Sequence, residues 1–388
     1  KYIGEANKII YNVDLVNDNS FTTAERERYK AQAKIFRALV YFDMVRLWGN
    51  LPIIDGLADD ITSENIVEVY PQYFPEQHSE QEVYEFIEKD LLESLASAPD
   101  NNPSDKTRLS KSVAHALLAK LYAEKPLRDY NKVIQYADML ATSGFDLNDD
   151  YSDLFAMNET VTDIRKRNTR ESILEAQFVI GGGNWVTWMF GRDLVNGDLQ
   201  FTWAKWVTPS RDLINAFNQE NDKIRFEESV VYYSCGWSIY YPSDNYPFMY
   251  KCRSAYNSLI KLRYADILLL KAEALIMKEG PDLAGAANII DKVRARVNLD
   301  KLPSSVRSSK DSMLDALLKE RRLELAFEGQ RWYDLCRLDK VEEVMNAVFA
   351  KDSGRKKQIY PFTENSYKLA IPQAAIDQNV NLTQNPGY

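Results

Sequence analysis

The sequence predicts a mostly helical, all-α fold on the strength of three observations. Apolar residues recur at helical spacing through most of the chain, turn residues separate the helical segments, and two of the helix starts carry a capping box. An aromatic-rich segment interrupts this pattern. We therefore expect one domain with a helical-repeat scaffold (residues 1–145 and 260–350), an irregular aromatic insert (146–259) and an extended tail (351–388).

The two capping boxes mark helix starts in the first hundred residues. Thr22 is followed three positions later by Glu25, and Ser79 by Glu82. In such a pair the hydroxyl and the carboxylate each accept a hydrogen bond from a backbone amide that has no partner within the helix. The first of these helices is predicted to end at the Gly49 turn, and its broad apolar face requires neighbours on more than one side.

Helix pairs are predicted on both sides of the aromatic segment. Alanine-rich helices before and after a short turn, within about 34 residues, are typical of tetratricopeptide-like repeats. Residues 110–144 and 262–297 fit this description. Residues 311–328, 332–338 and 341–349 are also predicted to be helical, 209–218 to form a helical piece, and 172–180 to form a short strand.

Composition excludes several classes of function. The net charge of −9 and pI near 5.1 argue against a nucleic-acid partner, since binding to phosphates requires a basic face. Three cysteines and two histidines, without metal-ligand spacing, predict neither a metal site nor a cofactor. Cys235 and Cys252 could close a loop, although free thiols are the commoner outcome. No apolar run is long enough to span a bilayer.

The aromatic segment is the expected functional region. Five of the seven tryptophans lie between residues 185 and 256. A sugar presents apolar C–H faces ringed by hydroxyls, so its site needs flat exposed aromatic rings with polar groups at their edges. The candidate glycan-binding residues are Asn184, Trp185, Trp188, Arg192, Trp237, Tyr240 and Tyr241 in this segment, with Tyr70 and Tyr73 in a proline-bounded loop.

Core packing is the competing explanation for each tryptophan, because most tryptophans in globular proteins are largely buried. Trp203 and Trp206 precede a predicted helix, and for them we favour the core. Trp185 and Trp188 follow the triple glycine of residues 181–183, in a stretch without helical or strand pattern. For these two, binding and packing remain equally open.

Four stretches of the chain resemble the SusD/RagB family of outer-membrane lipoproteins from Bacteroidetes. They occur in the family's order and reach from the first capped helix to the last residue. They are AKIFRALVYFDMVRLWGNLP (33–52), RYADILLLKAEA (263–274), ERRLELAFEGQRWYDL (320–335) and the terminus from IPQ (371–373) to LTQNPGY (382–388). The chain is short for this family, which implies a reduced insert.

The resemblance implies a SusD-like α-solenoid that captures an oligosaccharide without catalysis. It also implies a SusC-like TonB-dependent transporter as partner and a position on the outer-membrane surface. The signal peptide and lipidated cysteine of the family are expected upstream of Lys1, since the first residues do not resemble an export signal.

Two alternatives to glycan capture are a helical hydrolase and an adaptor that binds only protein. A glycosidase needs two carboxylates on either side of a cleft. Glu320, Glu324 and Glu328 share one predicted helical face, with Arg321 and Arg322 beside them. This arrangement favours salt bridges between helices over catalysis. A helical-repeat face would equally suit a protein partner.

Overall fold

The computed structural model describes residues 1–160, 163–178, 186, 208–236, 239–254, 256–352, 354–355 and 357–388. Within these ranges the chain is mostly helical, as the sequence predicts, and its strands are short. The helices are Tyr2–Asn12 (α1), Thr23–Trp48 (α2), Ile66–Val69 (α3), Glu80–Ser94 (α4), Lys111–Ala123 (α5), Tyr130–Thr142 (α6), Arg211–Glu220 (α7), Lys223–Ser229 (α8), Tyr264–Met277 (α9), Leu283–Arg296 (α10), Lys310–Glu324 (α11), Arg331–Arg337 (α12), Val341–Lys351 (α13) and Gln373–Gln378 (α14).

Short strands pair in antiparallel fashion. The strands are Leu51–Pro52 (β1), Gln77–His78 (β2), Ser172–Ala176 (β3), Val230–Tyr233 (β4), Tyr246–Met249 (β5) and Leu259–Arg263 (β6). They form the pairs β1–β2, β3–β6 and β4–β5. Among the helices of the described ranges, none is both long enough and apolar enough to cross a membrane.

The chain divides into two compact units. The first unit comprises Lys1–Asn101, Leu109–Lys132 and Phe362–Tyr388, and the second comprises Asn102–Arg108 and Val133–Pro361. Helix α6 therefore begins in the first unit and continues in the second. The organisation into a single domain remains a prediction.

Helix α2 is the centre of the first unit. Both predicted capping boxes are present, so α2 and α4 begin where the sequence indicates. The two helices pack against each other, with the rings of Phe42 and Tyr84 6.3 Å apart at a right angle. Arg37 on α2 donates two hydrogen bonds to the buried carboxylate of Asp90 on α4, at 2.7 and 2.8 Å. This bidentate pair fixes the register of α2 against α4.

Two short helical turns, Glu364–Tyr367 and Gln373–Gln378 (α14), interrupt the C-terminal tail that the sequence analysis expects to be extended. Its backbone lies against the end of α2, where the Leu369 amide donates to the Leu47 carbonyl at 2.8 Å. The Asn385 side chain donates to the carbonyl of Trp48 at 2.9 Å. The tail therefore satisfies carbonyl groups that the helix end leaves free.

Helix α9 is the centre of the second unit. Every residue of α9 except Lys271 and Met277 is buried. It packs against α10 and α11, as expected for a helix that is apolar on all sides. Helix α7 is held to this scaffold by Leu213 and Phe217, which pack against Leu323 on α11. The position of α7 fixes the site described below.

Several elements differ from the sequence-based expectation. Helix α1 and the hairpin of β4 and β5 were not predicted. The helix expected over residues 311–328 ends at Glu324, because the chain turns at Phe327 and Gly329, both of which have positive φ angles. All three cysteines are free, so Cys235 and Cys252 form no disulfide bond.

Candidate functional site

The nine candidate binding residues fall into three groups in the structure. Tyr240 and Tyr241 lie together in the second unit, and Tyr70 and Tyr73 lie together in the first. The remaining five, which the sequence analysis placed in the aromatic segment, lie outside the described residues. They are Asn184, Trp185, Trp188, Arg192 and Trp237.

A pocket of about 380 Å³ surrounds Tyr240 and Tyr241. Three stretches that are distant in sequence form it: the N-terminal end of α7, the loop after β4, and the C-terminal end of α13 with the residues that follow it. Its lining residues combine aromatic rings, hydroxyls and charges. They are Thr208, Pro209, Ser210, Arg211, Tyr240, Tyr241, Phe349, Asp352, Arg355 and Lys357.

The start of α7 forms one wall of the pocket. Ser210 is the N-cap residue of α7, and its hydroxyl accepts a hydrogen bond from the Leu213 amide at 3.1 Å. The preceding carbonyl, that of Pro209, accepts a hydrogen bond from the Tyr241 hydroxyl at 2.6 Å. The loop that carries Tyr240 and Tyr241 is thus attached to the end of a scaffold helix.

Arg211 connects all three stretches. Its guanidinium group lies over the ring of Tyr241 at 4.3 Å and donates a hydrogen bond to the Tyr240 carbonyl. It also pairs with Asp352 at 3.0 Å. Gly354 passes so close that a Cβ atom there would lie 2.5 Å from the Arg211 Cζ atom. The absence of a side chain at Gly354 therefore leaves room for the guanidinium group.

The β4–β5 hairpin packs against the Tyr241 side of the pocket. The ring of Tyr241 packs edge-on against Tyr246 at 5.5 Å, and Tyr246 packs against Phe248. Burial raises the pKa of Tyr241 to about 12, so its hydroxyl keeps its proton and continues to donate to Pro209. Tyr241 is therefore a supporting residue whose ring face is already covered by Arg211.

Tyr240 has the opposite environment. Its side chain is 43% exposed and lies on the pocket wall. Thr208, Ser210 and Arg355 line the same pocket, and the Thr208 hydroxyl shares a hydrogen bond with that of Tyr246 at 3.0 Å. An exposed ring with hydrogen-bonding groups nearby is the combination that the sequence analysis sought for a sugar.

Sequence reasoning missed the basic side of this pocket. The guanidinium group of Arg355 lies over the ring of Phe349 at 3.4 Å, and Lys357 is exposed beside it. The available signal was the run of three basic residues at 355–357, directly after a glycine, in an acidic chain. Its proximity to Tyr240 could not be read from the sequence, since it depends on how α7, α13 and the hairpin pack.

Tyr70 and Tyr73 lie in a different setting. Tyr70 lines a shallow depression of about 300 Å³ with Ile66, Val67 and Pro71, and Val67 is 86% exposed. The Tyr73 hydroxyl donates to the Asp59 carbonyl at 3.0 Å. The lining of this depression is almost entirely apolar, so it offers fewer hydrogen-bonding groups to a sugar than the pocket at Tyr240 does.

The glutamates that a hydrolase would need are buried in ion pairs. Glu324 accepts hydrogen bonds from Arg225 at 3.2 Å, from Arg263 at 2.6 Å and from Arg296. Burial alone would raise the pKa of Glu324, but these arginines outweigh burial and hold its pKa well below the ordinary value. The prediction that these carboxylates form salt bridges between elements is confirmed.

Glu320 and Glu328 extend the same cluster. Glu320 pairs with Arg225 at 2.7 Å and with Arg294 at 3.1 Å, and Glu328 pairs with Arg263 and Lys251, each at 2.6 Å. We refer to the group below as the buried ion cluster; it consists of Glu171, Asp222, Arg225, Lys251, Arg263, Arg294, Arg296, Glu320, Glu324 and Glu328. Over the described ranges, no three His, Cys, Asp or Glu side chains are placed to hold a metal ion.

Two family models match the chain, one at each end. A model described as the SusD family matches residues 244–388. A second model, described as starch-binding and associating with the outer membrane, matches residues 1–123. The four motifs on which the sequence resemblance rests all lie within these two matched ranges.

Several relatives are similar along nearly the whole chain. A SusD-like protein of Formosa agariphila is 27% identical over an alignment of 425 positions, gaps included. The alignment covers 100% of this chain and 78% of that protein. The starch-binding protein SusD of Bacteroides thetaiotaomicron is 24% identical over an alignment of 445 positions, gaps included. That alignment covers 97% of this chain and 76% of that protein. A solved structure of a laminarin-binding SusD-like protein superposes with a TM-score of 0.71 at 26% identity, over 100% of this chain and 84% of the other.

Proposed function

This chain belongs to the SusD/RagB family, and from that premise we propose that it is a non-catalytic protein that binds an oligosaccharide at the cell surface. The observation that carries the proposal is the pocket at Tyr240, where an exposed ring and hydrogen-bonding side chains share one concave wall. Relatives named for binding starch and laminarin support the same chemistry.

The binding mode follows from the two tyrosines of the pocket. Arg211 and Tyr246 hold the Tyr241 ring in place, and the attached Tyr240 ring is presented to solvent. A sugar face packs on Tyr240 while its hydroxyls reach Thr208 and Ser210. The candidates Asn184, Trp185, Trp188, Arg192 and Trp237 remain proposed contacts in the same insert.

The absence of catalysis is proposed from the state of the carboxylates. Asp352 is the single acidic residue among those that line the described pocket, and it is paired with Arg211 at 3.0 Å. Glu320, Glu324 and Glu328 are engaged in the buried ion cluster. Neither arrangement supplies the two facing carboxylates that glycoside hydrolysis requires.

Release of the bound sugar to a SusC-like TonB-dependent transporter completes the proposal. The family description of outer-membrane association supports a location at that membrane. Attachment through a lipid anchor is part of the proposal and rests on the family resemblance. Binding through one exposed ring and a few hydrogen bonds is weak enough for the ligand to be passed on.

Calorimetric titration with a panel of oligosaccharides tests the proposal. We expect heat of binding with at least one glycan, and affinity about fivefold weaker in the Tyr240→Ala variant. A reducing-end assay on the same mixtures should detect no new ends. Absence of binding across the panel would rule out glycan capture, and release of reducing ends would replace it with hydrolysis.

The depression at Tyr70 favours a protein contact as a second function. It is shallow and apolar, and Ile66, Val67 and Tyr70 are all exposed. Exposed apolar patches commonly mark protein interfaces. In co-purification with a SusC-like transporter, Val67→Asp should reduce recovery of the complex, while the glycan titration of this variant stays unchanged. Unchanged recovery would remove this surface from the interface.

A further inference from the structure

The pocket at Tyr240 is positively charged although the chain is acidic. Three cationic side chains line it, those of Arg211, Arg355 and Lys357, against the single carboxylate of Asp352. The whole chain carries a net charge of −9. An excess of positive charge within one concave surface of an acidic protein attracts negatively charged ligands.

Asp352 neutralises only one of the three cations. Its Oδ1 atom accepts a hydrogen bond from Arg211 at 3.0 Å and another from the Gly354 amide at 3.1 Å. The Asp352 side chain is only 10% exposed, which leaves it poorly placed to reach further into the pocket. Arg211 in turn donates to the Tyr240 carbonyl, so its role is to hold the pocket together.

Arg355 and Lys357 are the two cations that remain. Within the described part of the chain neither is paired with a carboxylate, whereas the arginines of the buried ion cluster each have one or more acidic partners. Stacking on Phe349 at 3.4 Å orients the Arg355 guanidinium group and leaves its N–H donors without an acid to bind. Such a group is prepared to receive a planar or tetrahedral oxyanion.

The N-terminal end of α7 strengthens the positive potential. Ser210 and Arg211, at the start of this ten-residue helix, line the same pocket. The N-terminal end of a helix carries partial positive charge that favours an anion nearby. The charged side chains and the helix end therefore act in the same direction, beside the exposed ring of Tyr240.

We propose that this pocket selects an acidic sugar, with Arg355 and Lys357 binding its carboxylate or sulfate group while its ring packs against Tyr240. This inference rests on the proposed glycan-binding function and specifies the ligand class. The shared chemistry is a sugar that carries an oxyanion, whether that oxyanion is the carboxylate of a uronic acid or a sulfate ester.

Calorimetric titration of the purified chain with four probes tests this selection. The probes are oligogalacturonate for the carboxylate, a sulfated galactan oligosaccharide for the sulfate ester, laminarin oligosaccharide as a neutral glycan and poly-glutamate as an anion without sugar. We expect one of the two acidic sugars to bind at least about tenfold more tightly than the neutral glycan and than poly-glutamate. The acidic sugar that binds identifies the source of the oxyanion.

Removing the two charges should remove the preference. In the Arg355→Gln/Lys357→Gln variant we expect the affinity for the acidic sugar to fall about tenfold, and Arg355→Lys to retain part of it. Lys301→Gln/Lys310→Gln is the matched control, since it removes two exposed charges of the second unit outside the pocket and should leave the affinity unchanged. Sodium chloride should weaken binding of the acidic sugar and not that of the neutral one.

The possible failures are distinguishable. Tight binding of the neutral glycan, with neither acidic sugar preferred, overturns the selection and leaves the glycan-binding function standing. The selection is also overturned if poly-glutamate binds as tightly as the acidic sugar, or if the control variant loses as much affinity as the pocket variant. In either case binding of the acidic sugar would depend on overall charge. Absence of binding by every sugar overturns the glycan-binding function itself.

Discussion

The second unit holds two sets of arginines that differ in their surroundings. Arg263 in the buried ion cluster contacts Glu171, Glu324 and Glu328 at 2.6–2.7 Å and is 2% exposed. Arg355 at the pocket contacts the ring of Phe349 and, among the described residues, no carboxylate. Both residues are arginines, so the presence or absence of a carboxylate partner distinguishes a structural cation from one that is available to a ligand.

Replacing one arginine of each set should give the largest difference in stability between two variants. Arg263→Met removes one counter-charge from each of Glu171, Glu324 and Glu328, which keep only their other cations, and we expect the free energy of unfolding to fall by about 3–5 kcal/mol. Arg355→Met, the matched control, should change it by less than about 0.5 kcal/mol. Urea denaturation of both variants measures this difference. Similar losses in the two variants would remove the distinction between the sets.

Acid should weaken the buried ion cluster. Neighbouring cations outweigh burial and hold the pKa values of Glu324 and Glu328 below the ordinary value of 4.5. A carboxylate whose pKa is lower in the folded state stabilises the fold above its ordinary pKa. That contribution is lost as the pH falls below 4.5 toward the lowered value.

We expect the cluster to lose stability as the pH falls below about 5, because each such carboxylate must then take up a proton and give up its ion pairs. Urea denaturation at a series of pH values from 7 downward measures the loss. The Glu324→Gln variant should be less stable at pH 7 and show a shallower dependence on pH. An unchanged dependence in this variant would mean that Glu324 is not a source of the acid sensitivity.

At the pocket, removing the exposed ring should affect binding and leave stability unchanged. Tyr240→Ala deletes the apolar surface beneath the sugar, and we expect affinity for the bound glycan to fall about fivefold. Tyr360→Ala is the control, because Tyr360 is exposed in the same unit and does not line the pocket. If the two variants bind equally well, the sugar does not rest on Tyr240.

The smallest expected effect concerns the position of Arg211. A Cβ atom in Gly354→Ala would displace the flexible guanidinium group from Asp352, because it would lie 2.5 Å from the Arg211 Cζ atom. We expect affinity to fall about two- to threefold through loss of preorganisation, with little change in stability. Gly236→Ala, where a Cβ atom would meet no other group, should bind as the unaltered chain does.

The parts of the fold that the sequence predicted depend on local signals. The capping boxes at Thr22 and Ser79 place two helix starts correctly, because every contact that forms them lies within four residues. The β4–β5 hairpin was missed although Val230–Tyr233 is rich in β-branched and aromatic residues. Its partner strand follows a long loop, and no short turn signal connects the two.

The candidate site was predicted in part for the same reason. Tyr240 and Tyr241 were recognisable because aromatic and polar residues adjoin in sequence. Their different roles depend on Arg211, which covers the ring of one and binds the carbonyl of the other. Arg355 and Lys357 line the pocket because the C-terminal end of α13 lies beside the N-terminal end of α7. Sequence periodicity does not show that these two helix ends are neighbours.

The most direct test is the electron density of a crystal of this chain soaked with an acidic oligosaccharide that it binds in solution. We predict a sugar ring against Tyr240, with its carboxylate or sulfate oxygens about 3 Å from the Arg355 and Lys357 nitrogens. A sugar bound elsewhere, with the pocket at Tyr240 empty, would contradict the assignment of the unpaired cations to ligand binding.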